Sequence, residues 1–431
     1  MEYLLAIGGA MAMGLLISRL MLKLKLNLPD VTSYLIAGLL IGPLCIGALG
    51  LPGVGFRSFA FVEEMGLISD VALGFIAFSI GSEFRLESLK KIGRQATVIA
   101  VVQALCATLL VDAALLLLHL VLGDRLPLST CILLGAIATA TAPAATMMVV
   151  NQYKAHGPLT DILLPIVALD DAVGLIVFAI SSGVAEALGS GSVNVVSLLV
   201  NPLVEILASL ALGMGVGWIF SEAEKHFYSK SKRLCLAVTF VILCTGLSMM
   251  EFHLGPVEIG FSSLLVCMMC GTVFCNMCDF SEGIMGKTER WTAPLYVLFF
   301  VISGAELDLR VFSELAVVGI GVAYIAARSV GKIAGSSLSA KWMKCEKTIC
   351  KYLGITLLPQ AGVALGMSVK VAADFGAEGA LVRNIILFSV LVYELVGPAL
   401  TKMALTHAGE ITPKPQITRG QGVQSPRSKK A

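Results

Sequence analysis

Charge is what this sequence has least of. Asp, Glu, Lys and Arg make up only 14% of its 431 residues, while 57% are hydrophobic. A soluble globular domain carries about 25% charged residues. The deficit excludes an ordinary soluble core and points to lipid as the solvent. Net charge is only +2, so there is no basic surplus of the kind that recognises nucleic acid. No long hydrophilic block interrupts the chain, which leaves no room for a second soluble domain. The N-terminus lacks the basic start and small-residue cleavage site of a secretory leader. Its positive charges, Arg19, Lys23 and Lys25, follow the apolar stretch instead, so the stretch reads as a first membrane helix.

A spanning helix needs about 20 mostly apolar residues. Thirteen segments qualify: 2–22, 30–49, 63–83, 95–122, 128–151, 158–187, 195–220, 234–251, 256–276, 292–307, 312–337, 349–369 and 380–406. The expected fold is an all-α membrane protein, with a membrane domain over 1–406 and a disordered cytoplasmic tail over 407–431. That tail is polar and basic, and too short for a nucleotide-binding regulatory domain. Basic residues concentrate in alternate loops. Lys23, Lys25, Arg85, Lys90, Lys91, Arg94, Lys154, Lys225, Lys230, Lys232 and Arg233 fall on one side, with Lys287, Arg290, Lys341, Lys344 and Lys347. Only Arg57, Arg125, Arg310, Lys370 and Arg383 are scattered on the other. By the positive-inside rule the N-terminus is outside and the C-terminus cytoplasmic.

Two stretches repeat. The third segment ends LGFIAFSIGSEFRLESL, with Gly81 before an acidic residue, and the tenth ends VLFFVISGAELDLRVF, with Gly304 placed alike. Two segments after each comes an interrupted helix, GAIATATAPAATMMVV broken at Pro143 and GITLLPQAGVALGM broken at Pro359 and Gly362, with Gln360 between. The halves are offset by seven segments, an odd number, so the second copy is inverted. Inverted repeats with paired broken helices mark many secondary transporters, whose ion sites sit at such breaks.

An ionisable residue deep in a bilayer is a functional candidate by default. Segment six, PLTDILLPIVALDDAVGLIVF, places Asp170 and Asp171 near its middle. Two adjacent carboxylates there do not both ionise without a cation or a basic partner, and that competition between cation and proton is what an exchanger requires. Segment eleven carries Arg328 and Lys332 four residues apart on one face. Arg328, the deeper within the expected segment, is the better partner for Asp170, and Lys332 either joins it or snorkels to the surface. Glu394 in segment thirteen is a possible part of the ion path. Asp112 and His119 fall toward the outer end of segment four, and Glu258 near an outer helix start.

Eleven cysteines lie mostly in apolar runs. Cys267, Cys270, Cys275 and Cys278 have zinc-like CxxC spacing, but one continuous helix cannot wrap four thiolates round one metal. An intramembrane aspartyl protease needs carboxylates that face each other, and neighbours on a helix point about 100° apart. A gated monovalent cation channel or potassium efflux system is the nearer alternative.

The chain resembles the cation:proton antiporter superfamily on its sodium/hydrogen exchanger and Kef-like side. The resemblance runs to about residue 405 and rests on ALDDAVGL, ATATAPAAT, LLPQAGVALG, FFVISGAELDL and AARSVGK. It implies a homodimer in the membrane, no cofactor beyond transported Na⁺ or K⁺ and H⁺, and a mobile core beside a dimerisation domain.

 By the family pattern Asp171 is the main cation and proton carrier, Asp170 pairs with the basic residue of segment eleven, taken as Arg328, and Thr141 with nearby backbone lines the site. The family's Thr-Asp-Pro stands here as Thr141-Ala142-Pro143, which removes one carboxylate ligand.

Overall fold

The computed structural model describes residues 2–411 except 25–27, 51–54, 83–85, 191–194, 251, 255–256, 279–280, 308–309 and 311–314. The chain is helical there, apart from a short antiparallel hairpin of β1 (Phe252–Leu254) on β2 (Val257–Ile259). Two groups of helices pack mainly among themselves. The first contains α1 (Glu2–Lys23), α2 (Asp30–Ile41), the short α3 (Phe59–Glu63) and α4 (Gly66–Ser82). The second begins with α5 (Leu86–Leu122), the pair α6 (Leu128–Ile137) and α7 (Pro143–Tyr153), and α8 (Pro158–Ser190). The chain then returns to the first group with α9 (Val195–Glu224), α10 (Lys230–Ser248), α11 (Ser263–Met277) and α12 (Ser281–Glu306). It ends in the second with α13 (Leu315–Trp342), the pair α14 (Lys347–Thr356) and α15 (Gly362–Asp374), and α16 (Gly376–His407).

Each of the thirteen expected segments coincides with one helix or one broken pair. Among the described residues, eight helices are long and apolar enough to cross a membrane by length and composition: α1, α2 with its following turn, α5, α8, α9, α10, α13 and α16. Several boundaries differ from expectation. α5 starts at Leu86 and α12 at Ser281, well before 95 and 292, because polar first turns continue a helix that a hydrophobicity criterion does not see. α11 starts later, at Ser263, since Glu258 belongs to β2 of the hairpin.

The matched glycines of the repeat serve close helix packing. A Cβ on Gly81 would run into the backbone carbonyl of Met268 on α11. One on Gly304 would run into the carbonyl of Leu35 on α2, where Gly38 makes room from the other side. Around this crossing Val31, Tyr34, Leu35, Val301 and Ala305 form a buried apolar cluster. The cluster extends to Ala144, Met147, Leu164 and Ala168 of the second group, so it also seals the joint between the groups.

The first residues of the expected tail, through Ile411, are described and pack against the helices. Glu410 is buried, and its carboxylate accepts the Leu159 and Thr160 amides at 2.6 and 2.8 Å and the Thr160 hydroxyl at 2.7 Å. A carboxylate there satisfies orphan donors at the start of α8 and complements its dipole. Residues 412–431, the rest of the expected tail, lie outside the described residues.

Gly304→Ala is expected to push α2 off α12 and to cost about 1–3 kcal/mol, as overpacking does elsewhere. Thermal unfolding in detergent checks this, and an unchanged midpoint would contradict the backbone contact.

Candidate functional site

Both broken helices open inside the second group, and their breaks meet. The Ala142 amide donates to the Pro359 carbonyl at 2.8 Å, joining the two extended links. Pro143 occupies the first turn of α7, where a missing amide hydrogen costs nothing. Gly397 of α16 packs directly on Pro359.

Ending α6 and α14 here leaves carbonyl oxygens that need donors. Arg328 of α13 supplies three. Its Nε donates to Ala138 O at 3.0 Å, one terminal nitrogen to Ala140 O at 2.6 Å and the other to Leu358 O at 2.7 Å. The guanidinium also lies over the Tyr393 ring, 4.6 Å from its centroid. Lys332, one turn on, donates to Thr139 O at 2.6 Å and to the Thr141 hydroxyl at 2.9 Å. Gln360 donates to Ile137 O at 3.0 Å and to the Tyr324 hydroxyl at 2.9 Å, and accepts from Ser389 at 3.0 Å. Cations at helix C-termini are favourable against the dipole as well as the hydrogen bonds.

Asp170 pairs with Lys332, at 2.8 Å, and not with Arg328. Both side chains are fully buried, so Lys332 does not snorkel to the surface. The expected order failed because α13 continues to Trp342, which leaves Lys332 as deep in the helix group as Arg328. Arg328, with its flat fork of donors, is spent on backbone carbonyls. Asp170 also accepts the Thr141 hydroxyl at 2.5 Å and the Gln103 side-chain amide. Gln103 was absent from the sequence reading, although a lone amide in the apolar run VIAVVQALC of α5 was a visible signal.

Asp171 is the exception in this set. It is 3% exposed, and neither carboxylate oxygen has a hydrogen-bond partner among the described residues. The charges of Asp170 and Lys332 both act on it. An unpartnered buried carboxylate beside a saturated one is a place for a cation or a proton.

The remaining candidates lie apart from the aspartates. Asp112 sits half-buried against Gly135 of α6, so it is inside the helix group rather than purely interfacial. His119 Nδ1 is 2.7 Å from Leu126 O, and His119 lines a cavity of about 900 Å³ with Ser129, Glu186, Asp374 and Glu378, whose lining includes neither Asp170 nor Asp171. Glu394 is buried with Oε2 unpartnered, and has no hydrogen bond to the site. Cys267, Cys270, Cys275 and Cys278 are buried, with the Cys278 thiol 3.5 Å from Glu224.

Residues 12–407 match the family described as sodium/hydrogen exchanger, transmembrane. The chain belongs to the sodium/hydrogen exchanger family. It is a multi-pass membrane protein of a transporter family, with the fold expected from its sequence. It is similar to the ammonium/H⁺ antiporter subunit AmhT of Alkalihalophilus pseudofirmus, at 22% identity over 78% of each chain. It is also similar to the high-affinity Na⁺/H⁺ antiporter NhaS3 of Synechocystis, at 22% identity over 87% of this chain and 84% of that one. Among solved structures it resembles the sodium proton antiporter MjNhaP1 of Methanocaldococcus jannaschii at pH 8, with a TM-score of 0.68 and 19% identity over 95% of this chain and 99% of that one. At that identity the likeness is one of fold.

Lys332→Met should leave the Asp170 carboxylate buried without its cation, at a cost of about 3–5 kcal/mol. Adding Asp170→Asn should recover part of the loss. Thermal unfolding of both variants measures the coupling, and equal losses would argue against the pair.

Proposed function

We propose that this exchanger-family protein exchanges a monovalent cation, Na⁺ or K⁺, for H⁺ by alternating access. The observation that carries the reading is Asp171, buried with both oxygens unpartnered beside a neutralised Asp170. Asp171 binds either the cation or a proton, and Thr141 and the extended backbone at the helix crossing offer further oxygens. Asp170 and Lys332 hold the crossing in shape and set the local charge. Arg328 and Gln360 fix the carbonyl ends and touch no cargo. The names of the relatives, which include ammonium and sodium, support exchange against protons without choosing the ion.

The two helix groups give alternating access its moving parts. α5 to α8 and α13 to α16 form a body tied together by the crossing. It meets the other group chiefly through α8 on α9, α16 on α2 and α7 on α2 and α4. Sliding along that joint would expose Asp171 to one face and then the other. In this reading the protein is a homodimer in a cell membrane, with its N-terminus outside and C-terminus in the cytoplasm. Exposed apolar side chains on α1 and α9, among them Leu4, Leu15, Leu16, Met214 and Trp218, face lipid or a second copy.

Reconstitution in liposomes with an internal pH dye tests the function. A pulse of external Na⁺, K⁺ or Li⁺ should drive protons across the membrane, and Asp171→Asn should abolish the response. Cation flux without proton movement would overturn exchange in favour of a channel.

A further inference from the structure

The two helix groups share a polar clasp at one end of their joint. α2 starts after Pro29, whose side chain has no acceptor to offer the first amides. The Asp30 amide is answered from the other group instead. It donates to Gln152 Oε1, at the end of α7, at 2.9 Å. The Asp30 carboxylate accepts the Ser18 hydroxyl of α1 at 2.6 Å. One residue therefore ties α1, α2 and α7 together across the joint.

Around the clasp the joint is apolar. Val31 and Leu35 of α2, Ile76 of α4 and Phe300 of α12 share one cluster with Met147 of α7. Apolar contact has no preferred direction, so such surfaces can slide. A hydrogen bond cannot follow them, because it weakens steeply when stretched or bent. Neither end of this one gives way. α2 is held on α12 by the close approach of Gly38 and Gly304. α7 is fixed at its start by the crossing, where the Ala142 amide bonds to Pro359. Just past its end, the His156 amide donates to the Glu410 carbonyl at 3.3 Å. The Lys402 ammonium lies over the Tyr153 ring, 4.8 Å from its centroid. A slide of one group on the other by more than about 1 Å breaks the clasp.

The clasp stands on the way to Asp171. Leu164 and Ala168 precede Asp171 by seven and three residues, which puts them about 20° and 60° from it around α8. Both belong to the same cluster as Met147 and Phe300, so Asp171 is turned toward the joint. Between Ala144 at the start of α7 and the exposed Asn151 near its end, a crevice against Ile76 and Phe300 holds about 10 Å³. That is at or below the room one water needs. The joint is shut on this side. Gln152 stands nine residues past Pro143, about 14 Å from the crossing at 1.5 Å per residue, so the clasp lies at the mouth of the crevice.

We propose that Gln152 is a gating residue: its hydrogen bond to the Asp30 amide holds the joint closed at this face, and it lets go when the second group slides to open Asp171 there. In the orientation proposed above this is the cytoplasmic face. The role in transport rests on the exchange reading, whereas the clasp is measurable without transport.

The test uses purified full-length protein in detergent, with Met147→Cys as reporter. Attachment of a water-soluble maleimide at residue 147 is timed by mass spectrometry. Gln152→Leu in this background should raise the labelling rate about fivefold, the population shift expected from one lost hydrogen bond. Gln152→Glu, which keeps an oxygen acceptor for the amide, should bring the rate back down. An unchanged rate in Gln152→Leu, or equal rates in Gln152→Leu and Gln152→Glu, would overturn the clasp. A melting curve accompanies each variant, and if Gln152→Leu does not fold, Gln152→Met, which also lacks the acceptor, takes its place with the same expectation. In liposomes, Asp30→Cys with Gln152→Cys, joined by a short bifunctional thiosulfonate, should lose exchange relative to either single variant treated alike, and dithiothreitol should restore it. Exchange that persists through a completed cross-link would overturn the gate. Absence of exchange in the unmodified protein would count against the exchange reading, and the labelling rates would still decide the clasp.

Discussion

A helix broken inside a bilayer exposes carbonyl oxygens that water cannot reach, and each one left alone costs several kcal/mol. The protein breaks two helices at one place and answers with two cations from a single helix. Arg328 and Lys332 together reach carbonyls at Ala138, Thr139, Ala140 and Leu358, and the peptides at Ala142 and Pro359 bond directly to each other. The crossing depends on that exchange of donors and acceptors. So do the positions of Thr141, Asp170 and Asp171, which are fixed only relative to it.

The same arrangement divides the aspartates. Adjacent residues on a helix point about 100° apart. Asp170 therefore turns toward Lys332, Thr141 and Gln103, while Asp171 turns away from all three donors. One carboxylate becomes structural by saturation and the other stays available by neglect.

Much of this was legible in the residues. Thirteen apolar segments, the breaks at Pro143 and Pro359 and the Asp170–Asp171 pair all follow from hydrophobic run length, backbone chemistry and the cost of buried charge. The choice between Arg328 and Lys332 did not. It depends on where α13 ends, and the polar turn through Lys341 continues the helix past the apolar run. It also depends on which carbonyls two distant breaks leave bare, which only their meeting decides. The Glu410 cap was hidden for a related reason: its partners, Leu159 and Thr160, are about 250 residues away. Gln103 was visible as a polar residue in an apolar helix, but nothing in its own segment says what it faces.

The central claim is that Asp171 is the carboxyl that trades a proton for a cation while Asp170 stays paired with Lys332. Infrared difference spectroscopy on the purified protein reads it directly, through the protonated-carboxyl band lost when Na⁺ or K⁺ is added. The account predicts that Asp171→Asn loses one carboxyl from that difference band and that Asp170 contributes none. A difference band unchanged in Asp171→Asn would contradict it.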